Sequence, residues 1–181
     1  MTSTQTLFHT DRLTLRAPRL SDAEAIFHNY ARDPEVTRYL VWRPHRAVTE
    51  TEAFLRLCLE GWERQTELTW VLTLRDLDDA IGMVAVRPSD PSEHAVNFGY
   101  VLARKYWGQG MMTEAAGRLM EWISSTPGIY RIWATCDVEN VASARVLEKL
   151  GMQREGVLRR WEVRPNISPE PRDSLVYAWV R

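Results

Sequence analysis

Cysteine is scarce in this chain, limited to Cys58 and Cys136 among 181 residues. Cys58 lies on the apolar face of a helical pattern and Cys136 at the end of a strand-like run, with no second cysteine near either. A disulfide framework is excluded, and both read as buried reduced thiols. The four histidines, His9, His28, His45 and His94, are scattered and form no metal-ligand spacing with one another or with cysteine, so no metal is expected. Also missing is any apolar run near the roughly 18 residues a spanning helix needs, and any basic leader followed by an apolar stretch. The membrane is therefore not expected as a partner, and the expected compartment is the cytoplasm. Charge of one sign is lacking too. The 23 Lys and Arg face 24 Asp and Glu, so that nucleic acid is not expected as the main ligand despite the local cluster Arg159, Arg160 and Arg164.

What is present fits an ordinary globular chain, 45% hydrophobic and 26% charged. The length suits one core, which predicts a single domain over 1–181, with the residues before about Leu7 as a flexible lead. Base rates make a homodimer the expected assembly if the chain associates, and its aromatic content permits one.

Periodicity then gives the elements. Arg12 to Arg16 alternates as a strand. Ser21 to Glu24 reads as a capping box opening a helix that breaks at Asp33-Pro34. A second box, Thr49 to Glu52, opens a longer helix with the stripe Ala53, Phe54, Leu57, Cys58 and Trp62. Trp70 to Leu74 and Ile81 to Val86 form a hairpin, with Gly82 hinting at a bulge, and Ala95 to Leu102 is the next strand. A helix follows the glycines after it, then a strand from Tyr130 to Cys136, a helix from Asn140 to Leu150 stopped by Gly151, and strands at Val157 to Val163 and Leu175 to Val180. The expected fold is α/β of the mixed kind, a mostly antiparallel central sheet of about seven strands flanked by about four helices.

The chemistry concentrates at Lys105-Tyr106-Trp107-Gly108-Gln109-Gly110-Met111-Met112-Thr113. This segment follows a strand and opens a helix with the core face Met112, Ala115, Ala116, Leu119 and Trp122. Orphan amides, a positive helix end and glycines that let the backbone approach a ligand suit a diphosphate. Position 113 is not the third glycine of a dinucleotide fingerprint, and no Gly-Lys-Ser/Thr is present for a nucleoside triphosphate. Coenzyme A is left as the best guest, although a glycine turn alone also occurs as plain structure.

A second motif, Asn140-Val141-Ala142-Ser143-Ala144-Arg145-Val146-Leu147-Glu148-Lys149-Leu150-Gly151-Met152, lies one strand later. Asn140 is a good N-cap and Gly151 a good helix stop. Together with Tyr106-Trp107-Gly108-Gln109-Gly110, Thr113-Glu114-Ala115, the opening Asp11-Arg12-Leu13-Thr14-Leu15-Arg16 and the closing Arg172-Asp173-Ser174, it resembles the GNAT acetyltransferase superfamily, in particular the ribosomal-protein N-terminal acetyltransferase branch. The resemblance runs from about Leu7 onward and is most specific between Ala95 and Met152.

It implies acetyl-CoA as co-substrate and an amine acceptor, a protein N-terminus before a small-molecule amine, with a non-catalytic acyl-CoA-binding module as the third alternative. By the same resemblance the backbone of Tyr100, Val101 and Leu102 pairs with the pantetheine arm. The amides from Gln109 through Gly110, Met111 and Met112 to Thr113 hold the pyrophosphate, with Gly108 in the loop, and Asn140 bonds the pantetheine. Lys105 stands where the family usually has Gln or Arg, and Arg104, Arg145 or Lys149 are cations for the 3′-phosphate. The acid tyrosine common in the superfamily is replaced by Leu147, and a base glutamate on the preceding strand by Asn97. The ribosomal-protein branch implies Ser143 as acid and Glu162 as base, leaving a water chain or Glu93 and His94 as other routes. Trp42, Trp62 and Trp161 are aromatics that either line an acceptor pocket or serve as packing in the core and on the sheet surface.

Overall fold

The computed structural model describes residues 6–89 and 92–181, and the side chains of these except Ser92 and Glu93. The lead expected before Leu7 lies outside the described residues through position 5. The elements run β1 (Leu7–His9), β2 (Leu13–Arg16), a 3-10 turn (Leu20–Asp22), α1 (Ala23–Ile26), a π turn (Phe27–Ala31), α2 (Pro34–Thr37), α3 (Val48–Arg64), β3 (Leu68–Leu74), β4 (Leu77–Ser89) and β5 (Ser92–Leu102). A 3-10 turn (Arg104–Tyr106) then leads to α4 (Met111–Ser125), β6 (Arg131–Asp137), α5 (Val141–Lys149), β7 (Gln153–Val163) and β8 (Pro171–Val180).

Among the described residues the strands form one sheet ordered β1-β2-β3-β4-β5-β6-β8-β7, eight strands where about seven were expected, with five α-helices where about four were. The extra elements, β1 and α2, are three and four residues long, too short to show a period of their own. Every neighbouring pair is antiparallel except β5 with β6.

Helices cover both faces because the strands alternate apolar residues to each side. Trp70, Leu72, Val84 and Phe98 join Ala115, Leu119 and Leu147 in one core, while Val71 and Met83 join Ile26, Tyr30, Leu55 and Cys58 in the other. Edge-to-face contacts of Trp70 with Phe8, Trp62 and Trp122, at 6.0, 5.1 and 5.7 Å between centroids, lock β1, α3 and α4 onto β3.

Three local expectations are corrected by tertiary contacts. The first helical segment starts at Leu20 with Arg19, not Ser21, as its N-cap, and its reciprocal bond is made by Asp22, which accepts the Arg19 amide at 2.7 Å. The α3 N-cap is Ala47 and not Thr49. Glu50 reaches back to the Arg46 amide at 3.0 Å, and Thr51 turns inward to His45. The buried stripe of α3 is Thr51, Leu55 and Cys58, with Leu57 65% exposed, because among adjacent apolar residues the sheet selects the face that is covered.

The β4 irregularity lies next to Gly82, as expected. Leu72 opposes Gly82 and Thr73 opposes Ala80, leaving Ile81 as the inserted residue. Gly82 also lets β4 lie close against β5, since a β-carbon there would stand 2.6 Å from the Val101 carbonyl oxygen. Replacing Gly82 with Val is expected to lower stability by about 2 kcal/mol or more, because backbone has to move to relieve the contact. Chemical denaturation reads this directly, and an unchanged midpoint would contradict the close approach.

Candidate active site

Gly108 and Gly110 have φ of 72° and 74°, the left-handed region where glycine carries no β-carbon penalty. A β-carbon at Gly108 would meet nothing within 4 Å, and one at Gly110 only Arg12 Nη2 at 3.7 Å, so the loop faces open space. The first bond of α4 runs from the Glu114 amide to the Gly110 carbonyl at 3.0 Å. The amides from Gly110 to Thr113 therefore have no acceptor within the helix, and with the positive helix end they form an anion cradle. Met111 and Met112 bury their side chains beneath it, while Thr113 stays half-exposed.

Neighbouring groups fix the loop. Gln109 Nε2 donates to the Lys105 carbonyl at 2.9 Å, and Trp107 Nε1 donates to the Leu102 carbonyl at 2.7 Å. Arg12 crosses from the β1–β2 connection, donating through Nη1 to the Gln109 carbonyl at 3.0 Å and through Nε to Glu114 at 2.6 Å. Sequence reasoning missed this contact.

Beside the cradle the sheet opens. β5 and β6 pair at Ala95 with Arg131, Val96 with Ile132 and Asn97 with Trp133, and then part. Asn97 marks the fork, its side-chain amide 3.4 Å from the Trp133 carbonyl. Antiparallel ladders alternate, and Ala103 donates to Ile81 at 2.8 Å, so Val101 directs its backbone groups to β4. By the same alternation Tyr100 and Leu102 direct theirs to the open side, where the Leu102 carbonyl meets Trp107.

The start of α5 stands in this fork. Asn140 caps it, its Oδ1 accepting the Ser143 amide at 3.1 Å. Ser143 Oγ lies 2.8 Å from the Tyr100 hydroxyl, which is also within 3.1 Å of the Ser143 carbonyl. Burial pushes the Tyr100 phenol well above its ordinary value, against the pull of its Ser143 bond. Burial likewise pushes the neighbouring Cys136 thiol up to about 11, with Ser143 acting in the other direction. The Tyr100 hydroxyl was not anticipated, because its partner lies 43 residues away.

Beyond α5 the fork is bounded by charge pairs. Arg172 grips the buried Asp137 at 2.7 and 3.1 Å and reaches Glu139 at 3.1 Å. Burial alone would raise Asp137, but the Arg172 bond leads the contacts that hold it below the ordinary aspartate range. Glu162 opposes Arg172 across β7 and β8, which places it at this end of the sheet. Its Oε2 is held at 2.7 Å by Arg164, a buried cation whose charge is felt by both Cys136 and Asp137. A bulge around Arg160, with φ of 48° and its amide on Asp173 at 2.8 Å, turns Trp161 outward.

The structure thus brings together Tyr100, Leu102, the glycine loop, Asn140 and Ser143, with Glu162 beyond Arg172. The other expected residues have surroundings of their own. His94 is exposed at the start of β5, about 20 Å along the strand from Tyr100, and the side chain of Glu93 lies outside the described residues. Arg104 is turned to Asp33 at 3.4 Å, Lys105 is exposed with its ammonium 5.4 Å from the Tyr106 ring centre, and Arg145 is exposed on α5. Lys149 shares with Thr113, Gly117 and Trp179 a cleft of about 300 Å³ between α4 and α5. Trp62 is a core residue bonded to the Thr69 carbonyl at 2.7 Å. Trp42 lies in the loop that Asn166 ties to the β7–β8 connection, through bonds of 2.7 Å to the Thr37 and Trp42 carbonyls.

Comparison with known proteins gives the family and the fold. The pattern of the acetyltransferase (GNAT) domain matches residues 12–153. An uncharacterized N-acetyltransferase, p20 of Bacillus licheniformis, is 32% identical over 85% of this chain and 86% of its own length. The [ribosomal protein uS5]-alanine N-acetyltransferase of Escherichia coli (strain K12) is 28% identical over 81% of this chain and 78% of its own. In fold, the chain matches the Microcin C7 self immunity acetyltransferase MccE, solved in complex with acetyl-CoA and AMP, with a TM-score of 0.85 at 20% identity over 95% of this chain and 94% of that one. The chain belongs to the GNAT acetyltransferase family and is an acetyl-CoA-dependent N-acetyltransferase.

Proposed function

We propose that this enzyme acetylates the α-amine of a protein N-terminus by direct attack of the amine on the thioester. The observation that carries the reading is the opening of β5 from β6 beside the glycine cradle. A diphosphate on the amides of Gly110 to Thr113 directs a pantetheine arm along the exposed edge at Tyr100 and Leu102, toward Asn140 and Ser143.

Acetyl-CoA supplies the acyl group as a thioester, and the chain has to move protons. As the C–N bond forms and the C–S bond breaks, the departing sulfur takes a proton from Ser143 Oγ, which is resupplied by the adjoining Tyr100 hydroxyl or by water. A proton leaves the acceptor nitrogen toward Glu162, directly or through water, and no covalent acyl-enzyme is needed.

The acceptor class follows from the carboxylates at this end. Asp137 and Glu139 are held by Arg172, and Glu162 is held by Arg164. At pH 7, neutralising an α-amine costs about 1 kcal/mol and a lysine amine about 4.6 kcal/mol, from their reference pKa values. Carboxylates already committed to guanidinium partners suit the smaller task. The uS5-alanine acetyltransferase, a relative over most of its length, acts on a protein substrate and supports the same choice.

A thiol-release assay with acetyl-CoA against N-terminal peptides, lysine peptides and small amines tests this. Turnover is expected first with N-terminal peptides. Turnover confined to small amines would move the acceptor class, and tight cofactor binding without turnover of any acceptor would make the chain a binding module.

Exchanging Gly110 for Ala should cost about 1–2 kcal/mol of stability at its positive φ and weaken coenzyme A binding at least tenfold, because the amides can no longer hold their position. Calorimetric titration of the folded variant measures this, and unchanged affinity argues against the cradle. Ser143→Ala is expected to lower kcat by about 10²-fold or more while leaving coenzyme A affinity within a few-fold. Tyr100→Phe should have a smaller effect of the same kind. Full turnover in Ser143→Ala would remove Ser143 from the chemistry.

A further inference from the structure

The glycine cradle has an anion built into its own helix. Glu114 belongs to the first turn of α4, next to the amides from Gly110 to Thr113. A first-turn carboxylate ordinarily favours a helix. Beside a diphosphate the same charge is repulsive, unless something neutralises it and turns it away.

The contacts do both. Glu114 Oε1 accepts the Thr10 hydroxyl at 2.5 Å and the Arg12 amide at 2.9 Å, and Oε2 accepts Arg12 Nε at 2.6 Å, with Nη2 also at 2.6 Å. Both oxygens are thereby turned toward the β1–β2 connection. Burial would raise the Glu114 carboxyl, but these bonds together hold it below its ordinary value, so it stays charged and needs its partner. The same guanidinium donates Nη1 to the Gln109 carbonyl at 3.0 Å, fixing the residue between the two glycines. Its side chain remains 45% exposed, and Nη2 is the nearest atom, at 3.7 Å, to the place where a Gly110 β-carbon would stand. Of the five N–H donors of a guanidinium, Nε and Nη1 each use one in these hydrogen bonds and Nη2 makes the ion contact, which leaves a further N–H on each of Nη1 and Nη2.

We propose that Arg12, from outside the glycine motif, is the positioning residue of the diphosphate site: it cancels and turns away Glu114, fixes Gln109, and presents a guanidinium edge to the bound phosphates. The inference rests on the acetyl-CoA reading above. It adds a residue from the opposite end of the chain to the cofactor site, and it makes a definite prediction about Glu114. Once Arg12 is gone, Glu114 becomes harmful to cofactor binding.

The experiment is a double-mutant cycle read by calorimetry with coenzyme A and with dephospho-coenzyme A, which keeps the diphosphate but lacks the 3′-phosphate. Arg12→Ala is expected to weaken both ligands by about 10- to 100-fold, the range for a lost charge-assisted contact. It should also raise the KM for acetyl-CoA by a similar factor, with kcat changed by less than about threefold. Adding Glu114→Gln to Arg12→Ala should recover about tenfold in affinity, because the unpaired charge is then removed. Arg12→Lys keeps the charge but cannot fork between Glu114 and Gln109, so it should fall between wild type and Arg12→Ala; it also serves if Arg12→Ala does not fold.

A pair that merely straps β2 to α4 would lower the melting temperature without the selective rise in KM, and the double variant would bind no better than the single one; either result overturns the proposal. Loss confined to coenzyme A, with dephospho-coenzyme A unaffected, would also overturn it, by placing Arg12 at the 3′-phosphate. If wild type bound neither ligand, the acetyl-CoA reading itself would fail, a result distinct from all of these.

Discussion

The parting of β5 from β6 after Asn97 and Trp133 is the constraint on which the rest of the site depends. A parallel pair that continued to Leu102 would use up the backbone groups of Tyr100 and Leu102 and leave no path into the sheet. Because it stops after three residue pairs, a buried strand gains an edge inside the protein. Buried peptide groups need partners, and one on this edge has a side-chain partner. The Trp107 indole takes the Leu102 carbonyl, and the start of α5 brings Ser143 against the Tyr100 hydroxyl. The remaining groups are what an extended ligand can pair with. Gly82 keeps the other side of β5 closely backed by β4, so the open edge rests on a firm strand.

Three arginines each reach from a strand or its approach to a segment that leads into a helix. Arg12 holds the cofactor loop through Gln109 and Glu114. Arg16 pairs with the buried Asp22 at 2.6 Å and so fixes the entry to α1. Arg172 holds Asp137 and with it the turn into α5. The desolvation of a buried pair such as Arg16 with Asp22 is costly, so it makes a weak argument for net stability. The geometry of these pairs is specific, however, because a guanidinium fork satisfies two acceptors in a fixed plane. The Arg12-to-Arg16 strand and the Arg172-Asp173-Ser174 segment have a physical meaning here: their arginines are struts between the sheet and the segments that lead into helices.

What could be read from the sequence was the local part of this arrangement. The glycine loop, the Asn140 cap and the Gly151 stop each depend on backbone conformation within a few residues, and those residue types state their preference directly. The bulge near Gly82 was legible for the same reason. The capping boxes at Ser21 and Thr49 were not, because Asp22 and Thr51 were drawn to Arg16 and His45 instead. The α3 face was displaced because Phe54, Leu55, Leu57 and Cys58 offer two apolar stripes, and only the sheet decides between them. Least visible were the pairs that cross the chain, Tyr100 with Ser143 and Arg12 with Glu114, 43 and 102 residues apart. No periodicity encodes such a contact. It follows from the strand order, which is itself a consequence of the whole chain.

The proton balance of the proposed reaction explains how the site can lack the side chains that Leu147 and Asn97 replace. Amide formation removes one proton from nitrogen, and thiol release consumes one at sulfur, so the reaction as a whole needs no net acid or base if the amine arrives neutral. What is needed is a short path across the fork. In the proposed reaction the Ser143 hydroxyl and the Tyr100 phenol, 2.8 Å apart, would form a pair in which one gives a proton as it receives another. A phenol made less acidic by burial is a poor lasting donor, since every tenfold loss of acidity adds about 1.4 kcal/mol to its ionisation, and this favours a relay in which neither hydroxyl stays ionised. The Glu162 side then has one task, to take the proton of the entering ammonium. That task is light for an α-amine and heavy for lysine, so the proposed acceptor and the proposed catalytic pair rest on the same limit on available base.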